Sequence, residues 1–240
     1  MPHTRCMPRP PDDLQIRISL HGRNVAMELR PSRRAKRIIL RIDPVGTVTL
    51  VVPRRTSRDE AVAFARSKAE WLQDRLAALP EQVPFNDGAQ LPLLGRTHRI
   101  RHDPHSHGVR IGRGEIVVAG EAAHLPHRVA DFLRREARRE CAERARRLAR
   151  RLGLNVARIS IRDPKSRWGS CSHKGHLSFS WRLIFAPEWV LDYVIAHEVA
   201  HLIEMNHGPR FWRLVERLYP DSVRPREWLR RHGTRLHRYG

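Results

Sequence analysis

Apolar and polar positions change their period several times along the chain. Residues 14–20 ("LQIRISL"), 24–30 ("NVAMELR"), 37–43 ("RIILRID") and 46–52 ("GTVTLVV") alternate in short β-branched runs. Period two marks strands with one buried face. Asp43-Pro44-Val45-Gly46 supplies a turn between the last two. Over 56–79 the period becomes helical. Ser57 can cap with Glu60 three residues on, and Ala61, Phe64, Ala65, Trp71, Leu72 and Leu76 form the apolar stripe. Pro80 and Pro84 close that helix.

The stretch 85–120 is rich in Gly, Pro and His, with short strands expected at 97–102, 109–112 and 115–119. A long helix follows over 126–152, its buried stripe made of Val129, Phe132, Leu133, Ala137, Cys141, Ala145 and Leu148. Residues 159–163, 177–180 and 183–185 read as strands, with "KSRWGSCSHKG" between the first two. Helices are expected over 187–204, over 209–218 with Pro209 in the first turn, and over 224–235. No internal repeat is visible. The pattern is that of an α+β chain: a disordered end over 1–13, a β-rich N-terminal region with one helix over 14–120, and a helical region carrying the chemistry over 121–240.

Composition narrows the setting. Hydrophobic content of 40% is enough for a core. No apolar run approaches the roughly 18 residues of a membrane span, and the start lacks a secretory signal, so a cytoplasmic protein is expected. Cys6, Cys141 and Cys171 are far apart and give neither a disulfide framework nor a CxxC pair. The net charge of +21 invites a nucleic-acid reading. Only Lys36, Lys68, Lys165 and Lys174 are lysines, however, and an arginine excess of that kind is also what a GC-rich genome produces. In the 126–152 helix Glu136, Glu140 and Glu143 interleave with the arginines and no aromatics do, which favours a solvated face over a phosphate-binding ridge. His102, His105 and His107 lie in a Pro/Ser/Gly setting that favours an exposed hairpin tip over a metal site.

The sharpest chemistry is "YVIAHEVAHLIEMNHGPRFW", residues 193–212. His197 and His201 stand four apart, so a helix puts both imidazoles on one face, able to reach one ion at the ~2.0–2.1 Å of a zinc–nitrogen bond. Glu198 can lean over the open side of that ion and take a proton from a metal-bound water. Val194, Ile195, Val199, Leu202 and Ile203 would anchor the helix. The third ligand is expected to be His207, turned back by Asn206, Gly208 and Pro209, with Glu204 and Glu216 as rivals. Tyr193, four before His197, can support or simply pack. His173 and His176 default to exposed loop residues, and Cys171 to a small buried thiol.

These residues also carry a resemblance. "HEVAHLIEMNHGPRFW", the upstream "RWGSCS" (167–172) and "LDYVIAHE" (191–198) resemble the signature of the YgjP-like zinc metallopeptidases, relatives of the SprT group. The resemblance is specific over about 160–212. It implies one Zn2+ per chain on His197, His201 and His207, a catalytic Glu198, and a minigluzincin-like core with a small sheet packed on the HExxH helix. One departure is Ser180, where the family commonly has Asn.

The expected function is therefore zinc-dependent hydrolysis of peptide bonds in a peptide or protein substrate. Three rivals stand beside it. One is metal-dependent pyrophosphohydrolysis of a nucleoside triphosphate, supported only by positive charge because no P-loop is present. Another is a DNA-associated protease of SprT type. The third is a binding module with a structural zinc, against which Glu198 speaks.

Overall fold

The computed structural model describes residues 15–20 and 23–240. Cys6, Leu14 and the disordered end expected over 1–13 lie outside them. The architecture is α+β, as expected. The chain forms two compact units, one ending at Glu81 and the other spanning Gln82–Gly240, whereas the composition-based boundary lies at 120/121.

In the first unit β1 (Gln15–Leu20), β2 (Arg23–Ser32), β3 (Ile39–Ile42) and β4 (Val48–Pro53) form a sheet of order β1-β2-β4-β3, with only β2 and β4 parallel. Alternation along β4 buries Val48, Leu50 and Val52, which join Ile16, Ile18 and Met27 under α1 (Arg58–Ser67) and α2 (Ala69–Ala77). The Asp43 turn forms: its carboxylate accepts from the amides of Val45 (3.0 Å) and Thr47 (2.9 Å), and Gly46 takes φ +90°. The Ser57–Glu60 capping box is complete, with bonds of 3.2 and 2.8 Å. The single helix expected over 56–79 is broken at Lys68 (φ −110°, ψ 17°). The break re-aims the second segment so that Leu72 is buried while Trp71 stays 42% exposed, with Arg75 over its ring.

The second unit opens with β5 (Gln90–Leu93), β6 (Arg96–His102), β7 (Val109–Gly112) and β8 (Glu115–Val118), in the order β5-β6-β8-β7. The succession of antiparallel, parallel and antiparallel pairs repeats that of the first sheet. No sequence repeat betrays this, because strand order depends on pairing sense rather than on side-chain identity. His102 Nε2 lies 2.6 Å from the Gly120 carbonyl and His105 and His107 are exposed.

Helix α3 (Leu125–Arg151) follows and buries Leu125, Val129, Phe132, Leu133, Ala137, Cys141, Ala145 and Ala149, with Leu148 only half-buried. β9 (Arg158–Arg162), β10 (Gly169–Cys171) and β11 (His176–Ser180) make a three-stranded sheet in the order β10-β11-β9. The strand expected at 183–185 is instead a 3-10 turn, Trp181–Phe185, capped by Ser180, whose hydroxyl accepts from the Arg182 amide (3.3 Å). All five residues of the turn are buried, and an apolar run fully enclosed by core shows no alternation that separates a strand from a turn. α4 (Glu188–Ala200), α5 (Pro209–Leu218) and α6 (Val223–His232) complete the unit. α4 ends earlier than the expected 204, which leaves Ile203 48% exposed rather than anchoring the helix.

Candidate metal centre

α4 is buried on nearly every side: Val190, Leu191, Tyr193, Val194, Ile195, Ala196, Val199 and Ala200 are all inside. Such a helix is held rigidly by packing, and its polar side chains are held with it. His197 lies in its last turn and His201 at its C-cap. The chain then bends through Asn206 and Gly208 into α5, whose first helical residue is Pro209. This bend brings His207 back onto the two histidines of α4. The ring centroids are 5.1 Å apart for His197–His201, 5.1 Å for His197–His207 and 4.7 Å for His201–His207.

One nitrogen from each of the three rings falls within 4.8 Å of the others. His207 Nε2 and His197 Nε2 stand 3.1 Å apart. Two nitrogens on neighbouring corners of a tetrahedron of ~2.0–2.1 Å bonds would be separated by about 3.3 Å, so the spacing suits one small ion. His201 Nδ1 lies 3.0 Å from the Glu204 carbonyl, an arrangement in which Nδ1 donates and Nε2 keeps its lone pair. Burial pushes the His197 imidazole down to about 4, helped by the neighbouring histidines and Arg226, and burial lowers His201 as well. Neutral rings are the form that binds metal. His197 Nδ1 is buried with no hydrogen-bond partner among the described residues. Its ring is held instead by Phe211 (4.9 Å) and Tyr193 (6.0 Å), and Phe211 also stacks on His201 at 4.4 Å. These residues could hold a metal ion. Glu204 and Glu216 are outside this group, and the Glu216 carboxylate accepts from the Ser222 hydroxyl at 3.1 Å.

Glu198 is 6% exposed. Burial pushes its carboxyl up to about 7, against the pull of Arg167. Its immediate neighbour is Gly169, which with Trp168 suggests from sequence a tight loop packing near the helix and bordering the cleft. "WGSC" reads as a loop, but Gly169–Cys171 is an edge strand, and a Cβ on Gly169 would come within 2.5 Å of both Cγ and Oε1 of Glu198. The Glu198 carboxyl thus occupies the space that any side chain at 169 would need. Nothing in the sequence signals this except the glycine itself, 29 residues upstream. Trp168 holds the strand in place: its ring lies tilted against His237 (5.4 Å), fits a notch left by Gly233, and its carbonyl accepts from the Ser180 amide (2.8 Å). Cys171 is half-buried, and burial together with Glu198 pushes its thiol up to about 11, so it stays protonated. Arg226 of α6, unmarked in the sequence, lies 4.7 Å over the Trp212 ring, which itself borders His197 and His207. Tyr193 packs between His197 and Tyr219, while His173 and His176 are exposed.

Three convergent imidazoles, two at the end of a rigid buried helix that also carries a buried carboxyl, are a group that could hold a metal ion. The family follows from comparison. The model of the YgjP-like metallopeptidase domain matches residues 36–232, and the chain belongs to that family, a family of metallopeptidases. No curated protein matches the chain. Among solved structures, the metallopeptidase zymogen abylysin of Pyrococcus abyssi is 27% identical, with a TM-score of 0.35, over 41% of this chain and 97% of that one. No described helix is long and apolar enough to cross a membrane.

Proposed function

We propose that this metallopeptidase hydrolyses peptide bonds at one zinc ion per chain held by His197, His201 and His207, with Glu198 as general base. The observation that carries the reading is the approach of three imidazole nitrogens to within 4.8 Å of one another, with the buried Glu198 next to His197 on the same helix. Three imidazole ligands suit zinc over hard-oxygen cations and leave one position open for chemistry. Bound zinc supplies Lewis acidity, which polarises a carbonyl and acidifies a water.

The chain's own residues do the rest. Glu198 accepts the proton of the attacking water and returns it to the leaving amine; burial keeps its carboxyl near the pH at which both transfers are easy. Strand β10 orients the substrate. The Ser180 amide bonds to the Trp168 carbonyl and the Ser172 amide to the His176 carbonyl, so in antiparallel alternation Ser170 also bonds towards β11. The backbone groups of Gly169 and Cys171 then face the open edge, where an extended peptide can add as a further strand. Gly169 lets that edge lie close over Glu198.

A panel of casein, unstructured peptides and nucleoside triphosphates, with Glu198→Gln as the blank, tests this reading. Peptide cleavage that the variant loses supports it. Turnover of triphosphates alone would replace it with the pyrophosphohydrolase reading.

A further inference from the structure

The sheet that borders the site has two unlike faces. Ile159, Leu177 and Phe179 are buried on one, and register puts Gly169 and Cys171 on that same face. On the other face Ser160 of β9, Ser178 of β11 and Ser170 of β10 stand in one cross-strand row, since Ser170 pairs with Ser178 and Ser178 with Ser160. The three serines are only half-buried. With Arg162, Arg167 and His176 they line one open basin. Ser160 Oγ donates to the Leu177 carbonyl at 3.4 Å. Asp163 also borders the basin, but its carboxylate is already bound twice by Arg182, at 2.7 and 3.1 Å. Arg162 and Arg167 are exposed and in no ion pair among the described residues. Hydroxyls in a row with two exposed guanidiniums beside them are carboxylate-binding chemistry, and the pull of Arg167 already reaches the Glu198 carboxyl.

We infer that this basin is a specificity subsite for an acidic side chain, Asp or Glu, of a substrate strand seated on β10. The inference rests on the edge-strand reading given above. Side chains of an added strand alternate between the faces. The residue opposite Ser170 points to the serine row, while its two neighbours point towards the face that holds Glu198. One position of the substrate therefore meets Arg162 and Arg167, and the adjacent positions do not.

The test uses fluorescein-labelled peptides in which a single Glu is walked through a neutral background. Binding is read by anisotropy on the full zinc-loaded chain carrying Glu198→Gln, and turnover separately on the unsubstituted chain. A Glu at one position, or at two positions spaced by two, should tighten binding about five- to tenfold. Arg162→Gln with Arg167→Gln should remove that gain, whereas Arg146→Gln with Arg150→Gln on α3 should leave it. A gain independent of position, a gain that survives the first pair of substitutions, or no peptide binding at all overturns the inference. Position-specific binding without turnover by the unsubstituted chain would strike the peptidase reading and leave the subsite standing.

Discussion

Helices α3 and α4 pack on one another in the same unit and treat their charged residues in opposite ways. α3 turns most of its arginines outward and gives some of them acidic partners: Arg139 meets Glu136 at 2.9 Å and Glu143 at 3.9 Å, while the half-buried Arg144 is held by Glu140 at 2.9 Å and by Asp192 of α4 at 2.6 Å. Water and neighbours neutralise that face at little cost. α4 keeps Glu198 and His201 inside, where solvation is lost and Glu198 has no positive group in hydrogen-bonding range among the described residues. A fold that buries an acid without an ion-pair partner on the helix that carries His197 gives up stability at that spot. Ten arginines on α3 thus say less about function than one glutamate on α4.

Substitutions on the two helices and the strand above should separate along that line. His207→Ala should have the largest effect, removing both metal and hydrolysis; full metal occupancy in the variant would hand the third position to Glu204 or Glu216. Gly169→Ala should lower kcat about ten- to a hundredfold while metal content stays at the unsubstituted level, because the new methyl pushes the Glu198 carboxyl aside. Unchanged kcat would show that the strand has room to yield. Asp163→Asn acts on stability rather than on chemistry. Burial alone would raise Asp163, but Arg182 outweighs it and holds the carboxyl below the usual range. A depressed carboxylate contributes stability above its unfolded value of about 3.9, and that contribution fades as pH falls through the folded value. The variant should lose about 1–2 kcal/mol at pH 7, with the gap closing in acid, as read by urea melts at several pH values. Arg146→Gln with Arg150→Gln on α3 should change stability by no more than about 0.5 kcal/mol and leave peptide turnover unchanged. A large loss there would mean that the outward face of α3 has a role.

Legibility in the sequence followed the same division. The stripe of α3 came directly from its period, and the capping box and the Asp43 turn from local side-chain chemistry. His197, Glu198, His201 and His207 were visible because two histidines stand four apart at the end of one helix and the third follows a break only a few residues later. What escaped was set by distance in the chain. β5 is short, and its Leu-Pro-Leu run carries little alternation. β10 is three residues long, and its importance lies in what Gly169 lacks. The serine row appears only when the register of three strands is known. The buried turn at Trp181–Phe185 reads in part as a strand because every one of its residues faces core.

The most direct test of the central claim pairs two readings on the same samples of the unsubstituted chain and Glu198→Gln: zinc per chain by elemental analysis, and cleavage of an unstructured peptide. The account predicts about one zinc in both, with cleavage slowed about a hundred- to ten-thousandfold in the variant. Equal cleavage in the two, at equal metal content, would contradict it.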